Sequence, residues 1–182
     1  SVGLVGSEMC IRDSYNTDLM KALIDESANL SSQKVNGKYN IHHRVIADHI
    51  RSISFLIAEG IFPTNDGRGY VLRRIMRRAM RHIHFLGVKE PMLYKMVASL
   101  TREMGAAFPE LIEAKQLIEE SLLNEEIKFR STLDRGLKLL DKEISRLNKG
   151  EKFSGEVAFK LYDTYGFPID LTQDAVRDID IE

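Results

Sequence analysis

Residues 65–85 read NDGRGYVLRRIMRRAMRHIHF, and their spacing sets both the fold class and the functional question. At 100° per residue, Leu72, Ile75, Met76, Ala79 and Ile83 gather on one side of a helix expected from about Tyr70 to Phe85 and ending at Gly87. Arg74, Arg77, Arg78 and Arg81 gather on the other side, with Arg73 at its margin. From Gly67 through Lys89 there are six arginines, one lysine and no Asp or Glu, a formal charge of +7. The whole chain is only −1, so the remainder stands at −8, with 19 Lys and Arg against 27 Asp and Glu. Charge this segregated points to a polyanion-binding face better than net charge does.

A basic helix face is most simply a solvated one, but this stripe has no acidic residue three or four positions away within the helix to pair with. Stacked arginines then repel one another by a few tenths of a kcal/mol per pair unless an external anion screens them. Guanidinium forks match phosphate oxygens in pairs, which makes nucleic acid the expected partner.

Outward from this segment the pattern is helical almost throughout, so the expected class is all-α. Upstream, NTDLMKALIDESANL offers Asn16 or Thr17 as a cap and Leu19, Leu23 and Ile24 as a short stripe, followed by the polar linker SSQKVNGKYN. HHRVIADHIRSISFLIAEG is denser, with Val45, Ile46, Ile50, Ile53, Phe55 and Ile57, and stops at Gly60 before Pro63. Downstream, PMLYKMVASLTREMG faces Leu93, Met96, Val97 and Leu100 inward between Pro91 and Gly105. From Pro109 to Asn148 the apolar residues Leu111, Ile118, Leu122, Phe129, Leu133, Leu140, Ile144 and Leu147 recur by threes, fours and sevens, as one long helix or a helical hairpin with a narrow seam. KGEKFSGE is a loop, EVAFKLYDTYG a short helix closing at Gly166, and PIDLTQDAVRD a final helix.

The first 14 residues, SVGLVGSEMCIRDS, lack this periodicity, resemble a translated sequencing-adapter tail and are set aside as non-native. The expected division is then 1–14 as tail, 15–108 as a first helical subdomain and 109–182 as the long helix with a second.

Several function classes find no support. No apolar run approaches the roughly 18 residues of a membrane span, and no basic-then-apolar leader opens the chain, so a cytosolic setting is expected. Cys10 is the only cysteine, and no CxxC or HExxH spacing offers a metal site. GRGY lacks the Lys-Ser/Thr of a P-loop. The adjacent His42 and His43 point apart on a helix and, with Asp48 and His49, read as helix-end packing. No Ser/His/Asp or Cys/His set is present, so no catalytic residue is assigned. In LYDTYGFP, Asp163 lies near the end of a short helix between Tyr162 and Tyr165, with Gly166 and Pro168 setting the turn.

RVIADHIRSISFLIAEGIFPTNDGRGYVLRRIMRRAMRH, followed about 80 residues later by LYDTYGFPIDLT, resembles the tRNA-recognition region of alanyl-tRNA synthetases, with YNTDL and TLDRGLKLLDKEI extending the likeness over Tyr15–Glu182. The resemblance implies a helical module lying between a class II aminoacylation core and an editing domain, and binding the acceptor stem of tRNA(Ala), whose identity is a G·U wobble pair. An A-form helix shows its base edges through the wide minor groove, where a wobble pair leaves the guanine 2-amino group free to meet a carboxylate or amide. The positions matching the family's readout pair are Asn65 and Asp163. Arg68, Arg73, Arg74, Arg77, Arg78 and Arg81 are expected to hold the stem's backbone, with an Arg that supports the turn equally in keeping. The core with its ATP, magnesium and alanine sites would precede Tyr15, and the editing domain with its zinc ligands would follow Glu182, so the chain alone is expected to be inactive. A different class of reading is a protein-interaction module that binds a partner helix along the Pro109 to Asn148 seam.

Overall fold

Thr17 adopts an extended conformation at the N-cap of helix α1 (Asp18–Ser31), although its side chain makes no capping hydrogen bond, and Ser32 ends the helix in the left-handed region at φ 57°. In this computed structural model, described for residues 15–147, 152–165, 167, 172 and 173, all regular structure is helical and no strand occurs among the described residues. The polar linker holds a short 3₁₀ turn (Gly37–Tyr39) that leads directly into α2 (Asn40–Ala58). Beyond Gly60, at φ 81°, comes α3 (Gly67–Phe85). A second 3₁₀ turn (Leu93–Lys95) precedes α4 (Met96–Met104), so this helix starts five residues after Pro91. The region expected as one long helix or a hairpin is a five-residue helix α5 (Pro109–Glu113) followed by a single 30-residue helix α6 (Lys115–Ile144). Helix α7 (Gly155–Asp163) completes the described elements.

The chain divides into two compact units, Ser1–Asn124 and Glu125–Glu182, and the division falls within α6. In the first unit, α2 and α3 pack against each other most extensively, and α1 and α4 pack on α2 and on each other. Ile46, Ile50, Ile53 and Ile57 of α2 and Leu72, Met76, Ala79 and Ile83 of α3 have no exposed surface. Their three-and-four spacing places each on the facing stripe, and burying one such aliphatic side chain contributes about 1.5–3 kcal/mol. Leu93, Met96, Val97 and Leu100 are fully buried as expected, whereas Val45 and Phe55 are only half-buried. Phe55 meets Phe108 edge to face at 5.0 Å. Ile118 and Leu122 are likewise buried in this unit.

The second unit is organised around Phe167. Its ring is 1% exposed, lies 6.2 Å from Phe129 between centroids and rests on Gly136, where an added Cβ would come within 2.5 Å of Phe167 Cε2. Gly136, an interruption in the seam pattern, is therefore the notch that admits an aromatic ring. The Phe167 amide donates to Leu161 O at 2.9 Å, folding the chain back over the end of α7. The 1–14 tail, Gly166, Pro168 and most of the expected final helix lie outside the described residues; of that helix only Thr172 and Gln173 are described, and both are helical.

Candidate nucleic-acid interface

The basic helix starts three residues earlier than its periodicity predicts because the turn before it is built to launch it. Asp66 is extended at the N-cap, Gly67 takes φ 57°, and the Tyr70 amide donates to Asp66 O at 3.1 Å. The Thr64 hydroxyl donates to the same Asp66 carbonyl at 2.8 Å. Gly69 is buried against this turn, and a Cβ there would run into the Phe62 carbonyl and the Thr64 hydroxyl. The two glycines of GRGY thus serve a left-handed step at Gly67 and close backbone approach at Gly69.

The arginines separate into three environments. Arg68, Arg74 and Arg78 are exposed and Arg77 is half-buried; Arg74 lies 6.0 Å from the centre of the Tyr70 ring. Arg73 is half-buried and turns back toward the preceding turn, where Nη1 donates to Asn65 Oδ1 and Nη2 donates to Pro63 O at 3.2 Å. Arg81, expected in the outward stripe, is only 7% exposed, with its guanidinium 4.9 Å above the Phe85 ring. Helical angle alone places Arg81 between Arg74 and Arg77. The ring it lies against, Phe85, is one turn further along the same helix, a contact that angular position alone does not announce.

A histidine pair closes that end of the helix interface. His42 Nδ1 and His82 Nδ1 are 2.7 Å apart, so one must donate and the other accept. Two protonated rings would aim N–H groups at each other. Burial chiefly, then His42 and the Arg81 and Arg78 charges, push the His82 pKa down to about 3. His42 is lowered by burial and by Arg81. His43 points the other way, as adjacent helical positions require, and its Nδ1 lies 2.9 Å from Ser27 Oγ in the core. Asp48 pairs with its neighbour His49 at 3.0 Å. The four residues weighed as a metal set thus face different partners, and no group of three potential ligands occurs among the described residues.

In the second unit, Asp163 is the last residue of α7 and is exposed. Ser154 starts that helix by accepting a hydrogen bond from the Val157 amide at 3.4 Å, a cap concealed in what read as loop. Asn65, in the first unit, is also exposed. Asn65 and Asp163 thus lie in different units, each exposed beside a helix end, and the first unit adds a guanidinium-rich helix. No helix among the described residues is long and apolar enough to cross a membrane.

Comparison with known proteins converges on one family. Residues 9–182 match the family described as tRNA synthetases class II (A), a match that takes in residues 9–14 of the segment set aside above. The alanine–tRNA ligase of Paracoccus denitrificans (strain Pd 1222) is 62% identical over 166 residues, covering 91% of this chain and 19% of that protein. That of Ruegeria pomeroyi is 63% identical over 166 residues with the same coverage, and that of Paramagnetospirillum magneticum 61% identical over 165 residues. The chain thus spans about a fifth of the length of these relatives.

Proposed function

The chain belongs to the class II alanyl-tRNA synthetase family, and from that premise we propose that it contributes recognition of the tRNA(Ala) acceptor stem to ATP-dependent attachment of alanine to tRNA. The observation that carries this reading is α3: a 19-residue helix with no acidic residue, whose Arg68, Arg74 and Arg78 are exposed immediately after a turn that presents Asn65. Arginine forks in this arrangement would bind backbone phosphates and set the stem's register, while Asn65 and Asp163 read the G·U pair. Asp163 suits readout rather than affinity, since a carboxylate among phosphates is unfavourable unless it meets a donor such as the guanine 2-amino group. Amino-acid activation and transfer are assigned to no residue of this chain, and ATP, magnesium and zinc belong in this reading to other segments of the enzyme.

The alternative role, capture of a partner helix along the long seam, is less well supported, because most of the seam is already buried. Ile118, Leu122, Phe129, Leu133 and Leu140 are all at most 2% exposed within the chain itself.

The deciding experiment compares binding of this chain to an acceptor-stem minihelix carrying G·U with binding to the same stem carrying G·C, at one salt concentration. Preference for the wobble stem, lost in Asp163→Ala, supports identity readout here; on the scale of bidentate base contacts it is worth about 1–3 kcal/mol. Arg78→Ala should weaken both stems alike and reduce the slope of log affinity against log salt by about 0.7–0.9. Equal binding of both stems by the wild-type chain would leave the arginine face as a general clamp and defeat the readout assignment.

A further inference from the structure

Within the stripe, Arg73 turns its guanidinium back onto the turn that precedes the helix. Its fork closes a ring from the third turn-residue backbone to the helix: Nη1 to the Asn65 side chain, Nη2 to Pro63 O at 3.2 Å. A guanidinium carries only donors, so the Asn65 atom it meets is necessarily the carbonyl oxygen Oδ1. This removes the twofold ambiguity of an amide and leaves Nδ2, with its two N–H donors, as the end that Asn65 turns away from Arg73. The surrounding turn is fixed independently by the Thr64 hydroxyl on Asp66 O at 2.8 Å, by the positive φ of Gly67 and by the close approach at Gly69. The amide is therefore held at both its base and its carbonyl edge, while the residue remains exposed.

We propose that Arg73 is a positioning residue rather than a phosphate contact, and that it sets Asn65 to act as a hydrogen-bond donor toward an acceptor on the base pair. This rests on the acceptor-stem reading above and deepens it. The two polar heads then have opposite polarity: Asp163 can only accept when ionised, whereas Asn65 is presented as a donor. A wobble pair shifts one base against the other, and a donor fixed in direction senses that displacement where a freely flipping amide would satisfy either geometry.

The test uses the 182-residue chain labelled with ¹⁵N, with the Asn65 side-chain amide pair identified by its disappearance in Asn65→Ala. Arg73→Lys keeps the charge and loses the fork. The expected result is that the Asn65 amide resonances move toward random-coil positions and gain fast mobility while backbone resonances of α3 stay in place. Preference for the G·U over the G·C minihelix should fall about 2- to 12-fold, the range corresponding to release of one ordered side chain, with affinity for the G·C stem unchanged. In an Asn65→Ala background, Arg73→Lys should cost no further preference, which separates positioning from direct contact. Asn65→Asp, which keeps the link to Arg73 and removes the donors, should lose the preference as fully as Asn65→Ala. An equal loss of affinity for both stems in Arg73→Lys, with the Asn65 resonances unmoved, would overturn the proposal and make Arg73 a phosphate contact. If the wild-type chain shows no preference between stems, the acceptor-stem readout itself fails. The donor role falls with it, and the amide resonances alone then decide whether Arg73 fixes Asn65.

Discussion

The turn at Asn65 and the corner at Asp163 solve one problem with different chemistry. Both hold a short polar side chain in solvent at a helix end. At Asn65 the support is polar: a guanidinium fork on the side chain and on Pro63 O, backed by glycines that let the backbone close up. At Asp163 the support is apolar: Phe167 is buried beside Phe129 and against Gly136, and its amide ties back to Leu161 O. A polar brace is directional and fixes which edge of an amide faces outward. A buried ring fixes the path of the backbone and leaves the carboxylate, whose two oxygens are equivalent, to rotate. In the proposed reading the directional support thus falls on the donor, and the symmetric acceptor does not need it.

The sharpest way to break this comparison is Phe167→Ala. Removing a fully buried aromatic ring costs about 3–5 kcal/mol, here directed at the second unit. Hydrogen exchange should show loss of protection in α7 and the Glu125–Ile144 part of α6, with α2 and α3 unaffected. Equal loss in both units would mean that the apolar corner is a support for the whole chain.

Acid should act on the opposite side of the comparison. All five histidines lie between residues 42 and 84, in the first unit. His82 has its folded pKa lowered to about 3 from an ordinary 6.5, so between those values the unfolded chain takes up the proton first. The stability this neutral ring supports is complete above pH 6.5 and falls as pH drops toward 3. The slope is at most about 1.4 kcal/mol per pH unit for this one group, or about 2 kcal/mol between pH 6.5 and 5. Exchange protection of α3 measured at pH 7 and pH 5 should show that loss in the wild-type chain and a smaller one in His82→Asn, where the ring that resists protonation is gone. A pH dependence identical in the two chains would show that the His42–His82 pair carries none of it.

What could be read before the structure was whatever follows from one helix at a time. The α-helical class, most of the inward faces of α2, α3 and α4 and the exposed arginines at 74 and 78 follow from period and charge. Arg81 did not, because its burial involves the Phe85 ring one turn on, and angular position alone does not report that contact. The Arg73–Asn65 link spans eight residues from a loop into a helix, a spacing with no helical periodicity to announce it. His82 carried no motif either, and its pairing with His42 depends on how two helices cross. Gly136 read as an interruption of the seam, since nothing local to α6 reveals that an aromatic ring 31 positions later fills the gap.

The smallest expected effect tests whether the corner at Asp163 relies on its helix as well as on its wedge. Ser154 accepts from the Val157 amide and satisfies one of the donors left open at the start of α7, a helix of only nine residues. So short a helix has little intrinsic stability, and most of its order must come from packing and capping. Ser154→Ala should cost about 1 kcal/mol, seen as faster exchange of the first-turn amides of α7. Ser154→Asp keeps an acceptor there and should restore protection. If the capping loss also reduces preference for the wobble stem, the position of Asp163 depends on the helix being intact from its first turn. If preference is unchanged while the first turn frays, Leu161 and Phe167 hold the last turn by themselves, and the corner is apolar in its support throughout.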